Sequence, residues 1–196
     1  MSLIPMVIEQ TSKGERSFDI YSRLLRDRII MINDEISEHS VATCVASLLF
    51  LDSESSDPIH LYVSSPGGSC YHGLSIVDTI STISAPVYTY VHSIAASMGS
   101  IIASSGDKRF MMPHATHMVH SVSSGNRGTV EDMRRHMAES DRINEMLAQH
   151  YVKVTGHTYK EVKKVMDRDS YFSATDAIEF GLADEIITSR KQYRFA

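Results

Sequence analysis

The stretch VYTYVHSIAASMGSIIASS, Val87 to Ser105, reads as a strand, a small-residue junction and a helix in immediate succession. Val87 to Val91 is a β-branched and aromatic run of strand character. It leads into Ala95-Ala96-Ser97-Met98-Gly99, and Met98 to Ser105 predicts a helix. A strand feeding a helix is the repeating unit of α/β folds. Upstream, Arg28 to Ile32 predicts a short buried strand. Val41 to Phe50 predicts a helix through Val41, Cys44, Val45, Leu48 and Leu49. A second strand, Ile59 to Val63, breaks at Ser64-Ser65-Pro66-Gly67-Gly68, and Leu74 to Ile83 has helical spacing. Downstream, strands are expected at Arg109 to Met112 and Thr116 to His120. This alternation predicts an α/β fold with right-handed crossovers.

Ser121 to Gly128 is polar and rich in Gly and Ser, hence a loop. The longest helical pattern follows, about 129–154, with a capping signal in Thr129 and Asp132 and a stop at Gly156. At roughly 1.5 Å per residue it would extend about 36–40 Å, long enough to project beyond a domain of this size. Its stripe of Val130, Met133, Met137, Ile143, Leu147 and Tyr151 needs cover, and another subunit is the natural candidate. Thr158 with Glu161 predicts a helix to about Val165, and Ser173 caps a last helix ending at Gly181. The first 25 or so residues are expected to be only partly ordered, and Arg190 to Ala196 a tail.

The 196 residues suit one domain, with 42% hydrophobic and 22% charged residues. A net charge of -5 argues against nucleic acid or an anionic membrane as partner. Cys44 and Cys70 are the only cysteines, so there is no disulfide framework and no CxxC motif. The N-terminus lacks a basic region and a long apolar run, and no window approaches the roughly 20 apolar residues of a membrane span. A cytoplasmic location is therefore expected.

Ser97 stands where a strand ends and a helix begins, among Ala95, Ala96 and Gly99. Small neighbours permit close backbone approach, and a helix N-terminus offers free N–H groups. A serine hydroxyl becomes a nucleophile when a base takes its proton and donors receive the oxyanion. Pro66-Gly67-Gly68 exposes backbone N–H groups suited to that second task. Among ten histidines, His120 ends an apolar strand beside a polar loop, a rim position for a base. His114 and His117 read as surface or turn residues. His114, His117 and His120 alternate faces of a strand, and no carboxylate or thiol nearby completes a metal site, so no metal is expected. Asp167-Arg168-Asp169 offers a carboxylate to orient the imidazole.

Together these segments resemble the ClpP family of serine peptidases over nearly the whole chain. The start, LIPMVIEQTSKGERSFDIYSRLL (Leu3 to Leu25), is similar to the family's mature N-terminal segment. Ser65-Pro66-Gly67-Gly68, Ala95 to Gly99, Met118-Val119-His120 and Arg168-Asp169 follow the family's order and approximate spacings, and Glu179 to Asp184 resembles its C-terminal signature. The resemblance implies a ClpP/crotonase-like spiral of βα units with a protruding handle helix. It implies Ser97 as nucleophile, His120 as general base then acid, Asp169 as the group orienting His120, and an oxyanion hole of the Gly68 and Met98 N–H groups. It implies a homo-oligomer of two stacked heptameric rings, an AAA+ unfoldase partner of the ClpX or ClpA type, unfolded polypeptide substrates and no cofactor. Residues 1–20 would form axial loops and 21–196 the peptidase domain. Tyr62, Tyr90 and Met112 match the cleft where the unfoldase docks.

The chain departs from the family pattern in places. Ser121-Val122 replaces the usual Gln-Pro after the catalytic His, and Ser123-Ser124-Gly125 a common Leu-Gly-Gly. His92-Ser93-Ile94 stands where a Gly-Gln pair precedes the alanines, and the turn at Gly106-Asp107 is two residues short. Met1-Ser2 directly precede the mature-like start, so either the chain is made without a propeptide or one has been removed. A non-catalytic ring subunit is the main alternative, but such paralogues typically lose a triad residue. A crotonase-type acyl-CoA enzyme would share the fold without needing Ser, His and Asp in register.

Overall fold

The computed structural model of the chain describes residues 4–11, 14–125 and 127–189. It opens with an antiparallel hairpin, β1 (Met6–Thr11) against β2 (Gly14–Asp19), followed by α1 (Ile20–Arg26). Asp19 caps α1, its carboxylate accepting from the Tyr21 and Ser22 N–H groups at 3.0 Å each. Regular structure therefore occupies a segment in which little was expected. Cross-strand pairing and a cap hold it, and neither leaves an apolar period in sequence. The tail expected at 190–196 lies outside the described residues.

The α/β body then runs β3 (Ile29–Ile32), α2 (Glu38–Glu54), β4 (Ile59–Ser65), α3 (Cys70–Thr82), β5 (Val87–Ala96) and α4 (Met98–Ser104). It continues through β6 (Lys108–Met111), β7 (Thr116–Val119), α5 (Val130–Thr155), α6 (Tyr159–Met166), β8 (Ser170–Ser173), α7 (Ala174–Phe180) and β9 (Glu185–Ile186). Strands β3-β4-β5-β6-β9 lie side by side and parallel. β5 is longer than its apolar run suggests because it serves two partners. Tyr88 to Val91 pair with β6, and Ile94 to Ala96 pair with β7. β8 returns antiparallel on β7.

Local chemistry sets the helix limits. α2 starts before its apolar stripe because the Ser37 N–H donates to Ser40 Oγ at 3.0 Å and Ser37 Oγ accepts in return. Its other end is held by Arg28, a non-glycine residue at φ 61 whose guanidinium donates to the Leu51, Ser55 and Asp57 carbonyls at 3.0, 3.1 and 2.8 Å. A cation on the last carbonyls of a helix offsets their partial negative charge.

One face of the sheet buries Ile30, Ile32, Leu61, Val63, Val91 and Met111 under the helices, each worth roughly 1.5–3 kcal/mol. The opposite face carries a smaller cluster of Ile29, Tyr62, Tyr90 and Ile187, against which Leu24 of α1 packs. α5, 26 residues long, divides in two. Ile143, Leu147, Ala148 and Tyr151 are buried in the main core. Residues 130–138 are exposed on every side, Val130 by 61% and Met137 by 67%. Among the described residues no helix is long and apolar enough to cross a membrane.

Candidate active site

The carboxyl ends of β4, β5 and β7 gather at one edge of the sheet, where α/β folds hold ligands. β5 ends beside β7, and the Ser97 N–H donates to the Met118 carbonyl at 2.9 Å. There the chain turns sharply, with Ser97 at φ 54 and ψ -121. A non-glycine residue in such a conformation carries about 1–3 kcal/mol of strain, which persists only where the surroundings over-determine it. The surroundings do so here. The Ser97 carbonyl accepts from the Ser100 and Ile101 N–H groups at 3.0 and 3.3 Å, and every residue of α4 is buried.

The turn also needs its glycines. A Cβ on Gly67, at φ 99, would lie 2.6 Å from Ser97 Cβ. A Cβ on Gly68, at φ 145, would lie 2.4 Å from the Ile36 carbonyl oxygen. The diglycine is tied down by Ile36 N–H to Gly67 O and Ser69 N–H to Ile36 O, both 2.8 Å. That pairing leaves the Gly68 N–H out. Met98 opens α4, so its N–H has no acceptor within the helix. Met98 follows Ser97 in the chain, and Gly68 borders the same cavity as Ser97.

His120 follows β7 directly, and its Nε2 lies 2.8 Å from Ser97 Oγ. Antiparallel pairing of Val119 with Ser170 sets Asp169 beside His120, and Asp169 Oδ1 lies 3.5 Å from His120 Nδ1. The Asp169 side chain is 60% exposed and that of His120 22%. A cavity of about 40 Å³ opens here, bounded by Gly68, Cys70, Ser97, His120, Val122 and Tyr151 among others. Burial pushes the Cys70 thiol up, away from the thiolate form.

The altered segment after His120 is anchored. The Ser121 N–H and hydroxyl both donate to the Met166 carbonyl at 2.8 Å. The Val122 N–H, a donor that proline would lack, reaches Asn144 Oδ1 on α5 at 3.1 Å. Asn144 carries no signal in sequence, because its partner lies 22 residues away on another element.

Ser97, His120 and Asp169 therefore stand in one chain of contacts, Gly68 borders the same cavity, and Met98 follows Ser97 directly. Tyr62, Tyr90 and Met112 do not join them. They belong to the cluster on the far face, where the Tyr62 and Tyr90 rings stack at 4.7 Å and both are buried. His114 is exposed, but the expectation for His117 is corrected: it is 1% exposed, with Nδ1 2.9 Å from Ser100 Oγ. Its place on β7 opposite Ala95 turns it into the core. Burial, aided by the Arg109 charge, lowers its pKa to about 3. Among the described residues no three His, Cys, Asp or Glu side chains gather to hold a metal ion.

Compared with known families, residues 12–190 match the family model described as Clp protease.

Proposed function

This chain belongs to the Clp protease family, and on that premise we propose that it is a serine endopeptidase cleaving unfolded polypeptides through an acyl-enzyme on Ser97. The observation that carries this reading is the 2.8 Å contact between His120 Nε2 and Ser97 Oγ, made by a serine held in a strained conformation. His120 Nε2 takes the hydroxyl proton as Oγ bonds to the scissile carbonyl carbon, and the carbonyl electron pair moves onto oxygen. The Gly68 and Met98 N–H groups receive that oxyanion, each donor worth about 2.7–4 kcal/mol. As the tetrahedral species collapses, the C–N bond breaks and His120 gives its proton to the leaving amine. Water then attacks the Ser97 ester, passing a proton through His120 back to Oγ. Asp169 orients the imidazole. These steps call on no cofactor.

The proposal extends to the assembly. A helical segment exposed on all sides at 130–138, with Val130, Met133 and Met137 on it, fits a handle covered by other copies in two stacked heptameric rings. Sites enclosed in such a chamber need an AAA+ unfoldase of the ClpX or ClpA type to deliver unfolded chains. Residues 1–20 serve as axial loops in this reading, and the cluster around Tyr62, Tyr90 and Met112 as part of the docking region.

A fluorophosphonate probe tests the nucleophile. It is expected to label Ser97, with Ser97→Ala losing both labelling and cleavage of a short fluorogenic peptide. Labelling that survives in Ser97→Ala overturns the assignment. Light scattering should find particles of about seven or fourteen chains, and a stable monomer would contradict the chamber.

A further inference from the structure

Beneath the candidate site three polar side chains meet almost without solvent. Ser100, His117 and Tyr151 are 0%, 1% and 2% exposed and come from α4, β7 and α5. Ser100 Oγ lies 2.9 Å from His117 Nδ1 and also hydrogen-bonds with the Tyr151 hydroxyl. One turn further along α4, Ser104 Oγ meets His150 Nε2 at 3.1 Å. Burial holds the Tyr151 pKa up and the His117 pKa down to about 3, so both stay neutral near pH 7. The peptidase mechanism above uses none of these groups.

Their value follows from what apolar packing leaves undetermined. Hydrophobic contact is non-directional, so it does not by itself fix how far a short helix sits along its axis. A hydrogen bond is directional, and leaving a buried partner unpaired costs about 1–3 kcal/mol. Ser100 stands three residues after Ser97, and His117 three residues before His120. The Ser100–His117 bond thus ties the helix bearing the nucleophile and the Met98 donor to the strand bearing the base. Tyr151 ties the same hydroxyl to α5, and it borders the cavity that Ser97 and His120 share. A slip of α4 would carry Ser97 Oγ and the Met98 N–H away from His120 together.

We propose that Ser100, held by His117 and Tyr151, is a positioning residue that fixes the register of the nucleophile-bearing helix against the base-bearing strand. This inference rests on Ser97 being the nucleophile, and Ser100 and His117 act only through Ser97 and His120. Misplacement of reacting groups lowers the chemical step more than binding.

The test compares Ser100→Ala and Tyr151→Phe, each removing one hydroxyl, with the parent in assembled particles. Fluorophosphonate labelling rate and peptide kcat are both expected to fall about tenfold, with KM within about twofold. The double variant should lose less than the two single losses combined, since both act on one network. Ser100→Cys, which keeps a weak donor and acceptor, should recover part of the rate. If the parent labels at Ser97 while both variants label and turn over within about twofold of it, the positioning role is overturned. Variants that lose assembly but keep the parent's rate per assembled particle overturn it equally. A parent that takes no label overturns the nucleophile reading instead, so the two failures are told apart by the parent.

Discussion

Two serine–histidine pairs stand side by side in this molecule, offset by three residues on both partners. Ser97 with His120 and Ser100 with His117 have nearly the same reach, 2.8 and 2.9 Å. Their surroundings differ. The outer serine sits in a strained turn beside free backbone donors, and its histidine stands past the end of β7 with a carboxylate behind it. The inner serine lies in a regular helix turn, and its histidine lies within the strand under the core. A hydroxyl–imidazole contact is thus not sufficient for a reactive site. In the proposed reading, access for a substrate, donors for the developing charge and an orienting acid meet only at the outer pair, which borders a cavity and has Asp169 3.5 Å behind its histidine.

The largest effect expected on this contrast comes from deleting each imidazole. His120→Ala should lower kcat/KM on the order of 10⁴-fold or more while leaving the urea midpoint unchanged. His117→Ala should instead lower stability by about 2–4 kcal/mol, because it empties a packed site and takes from the buried Ser100 hydroxyl one of its partners. Equal stability losses in the two variants would erase the distinction. A smaller effect is expected from Asp169→Asn, measured as kcat on the same peptide. Asp169 is 60% exposed and 3.5 Å from the ring. The expected loss is about a hundredfold, below that of a buried, closely bonded triad acid.

The smallest effect is on pH dependence. Burial, first among the causes, lowers the pKa of His117 to about 3 and that of His150 to about 4. Above about pH 7 these imidazoles are neutral both folded and unfolded, so they add no pH dependence. As pH falls below about 6.5 the unfolded chain takes up protons that the folded chain refuses, and stability declines by up to about 1.4 kcal/mol per unit for each histidine. Urea midpoints should therefore be lower at about pH 5.5 than at about pH 7.5. Equal midpoints would mean that the inner histidines titrate as ordinary ones.

Much of the fold can be read along the chain. Thr129 with Asp132, Thr158 with Glu161, and Gly156 and Gly181 mark helix limits that the structure keeps, because caps are local hydrogen bonds between near neighbours. The start of α2 was less legible, since Ser40 closes the box at Ser37 where Glu or Gln is the usual signal. The opening hairpin and β8 were not legible at all. Their pairing partners are set by backbone register rather than by a run of apolar residues.

By itself the sequence determined which residue types were available and roughly where: a serine at a strand–helix junction, glycines after a strand, a histidine at a strand end and an aspartate before a short apolar run. Those features depend on local backbone preferences, and local preferences are written in consecutive residues. The sequence also pointed to His120 as the base for Ser97, but only the tertiary structure decided that His117 turns inward to face Ser100. The pairing of β7 with β5 turns His117 inward to Ser100, and the turn beyond Val119 brings His120 to Ser97. A strand's side chains alternate between two faces, and only its neighbours determine which face is core.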